Sequence, residues 1–133
     1  MQAPIGITKR VVLGVDDDFR VRESISRLAE SAGYMPRVFS SAEEVLLSGA
    51  LAEASCLITD VRMAGMDGLE LQRRVRIEYP KLPVLFISAH IDDEVRRRAL
   101  EGGAVEFLDK PFDGEHLLRV IDRATNKYSS AIV

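Results

Sequence analysis

Val11-Val12-Leu13-Gly14-Val15, followed at once by Asp16-Asp17-Asp18, is the stretch that decides how this chain folds. A short unbroken apolar run suits a strand buried on both faces, as in a parallel sheet covered by helices. The acids that follow fall at the strand's carboxyl end, and open α/β sheets bind their ligands in the crevice outside those ends. The pattern recurs along the chain. Cys56-Leu57-Ile58-Thr59 leads into Asp60, Val84-Leu85-Phe86-Ile87 into Ser88, and Ala104-Val105-Glu106-Phe107-Leu108 through Asp109 into Lys110-Pro111. A carboxylate cluster, a lone carboxylate, a hydroxyl and an ammonium would then converge on one sheet edge. Such a set suits a divalent cation held beside a phosphoryl group.

Between these runs the sequence carries helix signals. Val21, Ile25, Leu28, Ala29 and Ala32 share one helical face, with Asp18 placed to cap and Gly33 to terminate. Tyr34 to Phe39 reads as a short strand. Ser40-x-x-Glu43 and Ser41-x-x-Glu44 both match a capping box, opening a helix through about Leu47. A third helix is expected from about Leu69 to Glu78, ending before Pro80, with Leu69, Val75 and Tyr79 among its contacts. A fourth starts near Asp92 and stops at Gly102-Gly103. The last begins at Asp113 and shows Leu117, Ile121 and Ala124 at helical spacing. The stretch from Asn126 has little pattern, so one domain is expected over residues 9–126, with flexible ends at 1–8 and 127–133.

Five β-α units with right-handed crossovers put helices on both sheet faces. The expected fold is α/β, a flavodoxin-like (βα)5 three-layer sandwich with parallel strand order 2-1-3-4-5. Periodicity does not reveal strand order, which is a fold-level expectation. That order would set the first and third strands side by side, where Asp17 and Asp60 could share a cation.

Bulk properties narrow the class. A chain of 133 residues is one domain's worth, near the size that buries ~70% of its unfolded surface. Hydrophobic residues at 47% and charged ones at 29% are normal for a globular domain. No apolar stretch approaches the ~20 residues needed to cross a bilayer, so no membrane insertion is expected. The single cysteine, Cys56, lies inside an apolar run, cannot form an internal disulfide, and fits a cytoplasmic setting. A net charge of −3 gives this domain no electrostatic reason to bind nucleic acid directly.

Three adjacent acids are unfavourable unless a cation or hydrogen bonds offset them. Asp18 has a capping task, but only one residue can cap, so Asp16 and Asp17 are left for another role. Mg²⁺ prefers one or two carboxylates, keeps waters and welcomes phosphate oxygen, whereas zinc would ask for His or paired Cys, which are missing nearby. The same acids would repel a flavin phosphate in the first loop. No G-x-G-x-x-G or P-loop sequence follows any strand.

Val15-Asp16-Asp17-Asp18, Thr59-Asp60-Val61-Arg62-Met63-Ala64-Gly65-Met66-Asp67-Gly68, Ile87-Ser88-Ala89-His90 and Phe107-Leu108-Asp109-Lys110-Pro111-Phe112 resemble, in order and spacing, the receiver domain of bacterial two-component response regulators. The resemblance covers about residues 9–126. Ser41-Ala42-Glu43-Glu44, Arg62-Met63-x-Gly65-Met66-Asp67-Gly68 and Lys110-Pro111-Phe112 resemble the FixJ-like branch in particular. That branch usually joins its receiver to a LuxR-type helix-turn-helix. This sequence is expected to be a receiver without that DNA-binding domain.

The resemblance implies a phosphorelay switch rather than a metabolic enzyme. Asp60 would be the phosphoacceptor, with a sensor histidine kinase or phosphotransfer protein as donor. Only self-phosphorylation from a phosphodonor and slow self-dephosphorylation would be catalysed. Asp17 and Asp60 would ligate Mg²⁺ directly, together with the backbone carbonyl of Arg62, and Asp16 would act through water. Lys110 would pair with Asp60 and then with a phosphoryl oxygen. Ser88 and Ala89 would bind the phosphoryl group. Ser88 and Phe107 would form the switch, with Phe107 turning inward and remodelling the surface of the fourth helix, fifth strand and fifth helix toward a downstream protein partner or a second copy. Taken singly, Ser88 and Lys110 are ordinary strand-end residues and Phe107 is ordinary core. The Lys110-Pro111 bond is expected to be cis by the same resemblance.

Two alternatives stay open. A truncated LuxR-type transcription factor would share the site. A haloacid-dehalogenase-type phosphatase would also use an aspartyl phosphate, but its Asp-x-Asp nucleophile ends the first strand, whereas Asp60 follows a later one. Two departures from the family pattern stand out. Ala64 replaces a common proline, which leaves the loop after Asp60 less stiff. In Ile91 to Arg98, Asp92, Asp93 and Glu94 sit four residues before Arg96, Arg97 and Arg98, which predicts i,i+4 pairs and a self-neutralised exposed face.

Overall fold

In the computed structural model of the protein, the described residues are 9–89 and 92–130, with side chains described to residue 126. The expected loose lead-in over residues 1–8, the His90-Ile91 part of the loop after Ser88, and residues 131–133 lie outside them.

Along the chain come β1 (Val11–Val15), α1 (Phe19–Ser31), β2 (Met35–Phe39), α2 (Ala42–Ser48), a 3-10 turn (Ala50–Glu53), β3 (Ala54–Thr59), α3 (Gly68–Glu78), β4 (Val84–Ser88), α4 (Asp93–Glu101), β5 (Glu106–Asp109) and α5 (Gly114–Ser130). The sheet order is β2-β1-β3-β4-β5, parallel throughout, as expected. Alternating strand residues feed two cores. Leu13, Val15, Leu57, Val84, Phe86 and Phe107 pack with the α2, α3 and α4 side. Val12, Cys56, Ile58, Leu85, Ile87 and Leu108 pack with α1 and α5. Burial of Cys56 pushes its thiol well above the ordinary range, so it behaves as a small core residue.

The caps explain where helices start. Asp18 accepts the Arg20 N–H at 2.9 Å, Asp67 that of Glu70 at 2.9 Å, and Asp92 that of Val95 at 2.8 Å. Of the two overlapping capping boxes, Ser41 is the one that caps α2, accepting the Glu44 N–H at 3.1 Å. Glu44 reaches back to the Ser40 N–H, also at 3.1 Å, and Glu43 is left free of capping duty. Gly68 opens α3 where the helix start comes against β3. A Cβ there would lie 2.0 Å from the Asp60 carbonyl oxygen. Gly68→Ala is therefore expected to cost about 2–3 kcal/mol through forced backbone movement. A urea unfolding midpoint equal to wild type would contradict that packing.

Helix α5 runs to Ser130, past the residue where apolar periodicity ends, since extending a formed helix needs no new side-chain signal. Two local expectations are corrected. Ala32 is exposed rather than on the buried face, because it is the C-cap residue beyond the last turn of α1. On α4 the expected i,i+4 pairs from Asp92, Asp93 and Glu94 are absent among the described residues. Arg97 instead bridges Glu94 at 2.6 Å and Glu101 at 2.8 Å, while Asp92 is occupied as the cap. The face is still largely self-neutralised.

Candidate functional site

Asp16, Asp60 and Lys110 each stand one residue beyond a strand and stay on the ladder. Asp16 N–H donates to the Phe39 carbonyl at 3.1 Å, Asp60 N–H to Val15 at 3.0 Å, and Lys110 N–H to Ser88 at 2.9 Å. Sheet hydrogen bonds thus fix the backbone of all three, which is the accuracy a charge-handling site requires.

Asp16, Asp17, Asp60 and Lys110 come together. Lys110 Nζ lies 2.8 Å from Asp16 Oδ2 and 3.0 Å from Asp60 Oδ2. Both carboxylates are buried, and Asp17 is exposed. Asp16 Oδ1 accepts the Asp18 N–H at 2.8 Å, and Arg22 of α1 donates to the Asp16 carbonyl at 2.8 Å. Asp60 Oδ1 accepts the Val61 N–H at 2.7 Å. Desolvation raises the Asp16 carboxyl above its ordinary range, and the charge of Asp60 adds to this against the hydrogen bond from Lys110. Burial alone would lower the Lys110 ammonium, but its hydrogen bonds to Asp16 and Asp60 outweigh that and raise it. Lys110 is thus firmly cationic, and one positive charge faces three acids.

That imbalance is what a divalent cation corrects. Asp16, Asp17 and Asp60 each offer a carboxylate oxygen, all within 4.8 Å of one another. The donors are hard oxygens with no thiolate or imidazole in the group, which fits Mg²⁺. Asp16 has its oxygens engaged by Lys110 and the Asp18 N–H, whereas Asp17 makes no hydrogen bond or ion pair among the described residues.

Ser88 is buried at the end of β4, and exposed Ala89 lines a groove with Lys110, Pro111 and Phe112 against α1. The Lys110-Pro111 peptide is cis. Arg62 sits in the exposed loop two residues past Asp60. Phe107 is 5% exposed and stacks on Phe86 at 5.6 Å and 18°. The Arg96 guanidinium lies 5.3 Å from its centroid and closes it off from solvent. The sequence reading missed Arg22, the Arg96 cover, and a hydrogen bond from the Met66 N–H to Glu43. None has a spacing signature, since each is a long side chain meeting a remote element.

The family model described as the response regulator receiver domain matches residues 12–122. The chain is similar to nodulation protein W of Bradyrhizobium diazoefficiens, with 39% identity over 120 residues covering 90% of this chain and 53% of that protein. It is 34% identical over 124 residues to the transcriptional regulatory protein FixJ of the same organism, covering 93% and 60%. The solved structure of the response regulator StyR matches with a TM-score of 0.84 and 37% identity over 93% of this chain and 63% of that one. The chain spans little more than half the length of these two curated relatives.

Proposed function

Because this chain belongs to the response regulator receiver domain family, we propose that it is a phosphorylation-controlled signalling switch whose phosphoacceptor is Asp60. The observation that carries the reading is the meeting of Asp60 with Lys110 at 3.0 Å inside a three-carboxylate cluster at one sheet edge. Asp17 and Asp60 would hold Mg²⁺ with the Arg62 carbonyl, and Asp16 would support it through water. Bound Mg²⁺ would neutralise charge on the phosphoryl oxygens.

An Asp60 carboxylate oxygen attacks phosphorus in line. The aspartyl P–O bond forms as the P–N bond of a phosphohistidine breaks, and the departing imidazole keeps the electron pair and takes a proton. With acetyl phosphate the broken bond is P–O and the leaving group is acetate. Lys110 turns its charge from the Asp60 carboxylate to a phosphoryl oxygen, and Ser88 with the Ala89 backbone binds another. The donor is a sensor histidine kinase or phosphotransfer protein, in the cytoplasm. Among the described residues no helix is long and apolar enough to cross a membrane.

The output is a change at the α4–β5–α5 surface toward a protein partner or a second copy. New bonds from Ser88 and Lys110 exist only with the phosphoryl group present, and that difference alone shifts the population. The change centres on the Ser88 loop and on Arg96 over the Phe107 ring, beside exposed Leu100 and Val105. Beryllofluoride as phosphoryl mimic should move amide resonances across residues 88–112. Shifts confined to Asp16, Asp17, Asp60 and their neighbours would defeat the switch. A second reading, the receiver half of a LuxR-type transcription factor, is favoured by the roughly half-length match to the curated relatives. The length of the whole gene decides it. Family membership leaves the haloacid-dehalogenase alternative without support.

A further inference from the structure

The loop from β3 to α3 is anchored at both ends but spans solvent between them. At its start Val61 and Met63 are buried, and the Gly68 N–H donates to the Val61 carbonyl at 2.8 Å. At its end Asp67 is committed to capping α3. Arg62, Ala64 and Gly65 are exposed. Among the described residues, the hydrogen bond that ties residues 62–66 to another element runs from the Met66 N–H to Glu43 Oε2 at 2.9 Å. Glu43 is available because Ser41 and Glu44 do the capping of α2. The loop backbone passes very close to this carboxylate. Gly65 has φ +78, and a Cβ there would lie 2.6 Å from Glu43 Oε2. Ala64 supplies none of the φ restriction that proline would give at that point.

We propose that Glu43 is a positioning residue for the cation site, clamping the loop through Met66 so that the Arg62 carbonyl is presented toward the acids at the ends of β1 and β3. The clamp replaces, from outside, the stiffness that Ala64 lacks within the loop. This inference rests on the Mg²⁺ reading given above. Because Glu43 is exposed and α2 is otherwise intact, removing it loosens the loop and leaves the fold in place.

The test compares Glu43→Gln, Glu43→Ala, Glu43→Ala with Ala64→Pro, and Asp17→Asn in the full chain, with Mg²⁺ as the titrant. Circular dichroism checks folding. Alanine removes the acceptor, and glutamine keeps one without the charge. In metal-free protein, hydrogen exchange at the Met66 amide should rise about tenfold in Glu43→Ala as the local opening becomes easier. Glutamine should keep it near wild type. Mg²⁺ affinity should fall about tenfold in Glu43→Ala, the low end for loss of a group supporting a metal ligand. It should stay within about twofold of wild type in Glu43→Gln and recover when Ala64→Pro is added. Equal weakening by glutamine and alanine would mean that charge alone matters, which overturns the clamp. So would unchanged affinity in Glu43→Ala, or no recovery with proline, while Asp17→Asn still weakens binding. If wild type itself binds no Mg²⁺, the functional reading falls and takes the clamp with it. In that case faster Met66 exchange in Glu43→Ala would identify a loop restraint with no metal role.

Discussion

Asp60→Asn should abolish phosphoryl incorporation from acetyl phosphate and Mg²⁺, leaving a protein that folds and binds partners as a permanently unphosphorylated form. The amide is nearly isosteric but a poor nucleophile, so the loss should be complete. Its carbonyl can still accept the Val61 N–H that Asp60 Oδ1 accepts at 2.7 Å. Its NH₂ facing Lys110 loses the 3.0 Å ion pair, but Lys110 keeps Asp16 at 2.8 Å. Removing the Asp60 charge also relieves repulsion that raises the Asp16 carboxyl. Loss and relief offset, so stability should change by no more than about 1 kcal/mol. Autoradiography or intact mass reads the first claim and thermal melting the second. Undiminished labelling of the variant would move the nucleophile elsewhere.

Asp17→Asn should weaken Mg²⁺ by tenfold or more, about 1.4 kcal/mol or above, and slow phosphorylation in proportion at limiting metal. Asp17 is exposed, and with no hydrogen bond or ion pair among the described residues its removal disturbs little structure. In metal-free protein the variant should melt higher than wild type, because one of three crowded charges is gone while Lys110 remains. Saturating Mg²⁺ should reverse that order, since binding to the native state stabilises wild type more. Magnesium titration by calorimetry together with paired melting curves covers all three statements. Equal affinities would remove Asp17 from the ligand set.

Much of this site was legible in one sequence because it is built where apolar runs stop. The runs Val11–Val15, Cys56–Thr59, Val84–Ile87 and Ala104–Leu108 name the four strands that fold as Val11–Val15, Ala54–Thr59, Val84–Ser88 and Glu106–Asp109, and in a parallel sheet their carboxyl ends share an edge. Asp16, Asp17, Asp60, Ser88 and Lys110 follow from that alone. The Asp18 cap was equally readable, because a capping residue acts within three positions of itself. What stayed hidden depends on choices between equivalent partners. Ser40 and Ser41 both fit a capping box, and only the folded chain shows that Ser41 caps, freeing Glu43 for Met66. Arg97 had an acid on either side at helical spacing and took Glu94 and Glu101, while Arg96 turned to the Phe107 ring. Long charged side chains at exposed positions select among contacts that differ by a few tenths of a kcal/mol, which spacing does not resolve.

Borohydride reduction of the phosphorylated chain, followed by peptide mapping, tests the central claim most directly, because an acyl phosphate is reduced to the alcohol and leaves homoserine where the labelled aspartate stood. After treatment with acetyl phosphate and Mg²⁺, homoserine should appear at position 60 and nowhere else, and it should vanish when Mg²⁺ is chelated beforehand. Homoserine at position 16 or 17, or full modification of Asp60 without Mg²⁺, would contradict the account.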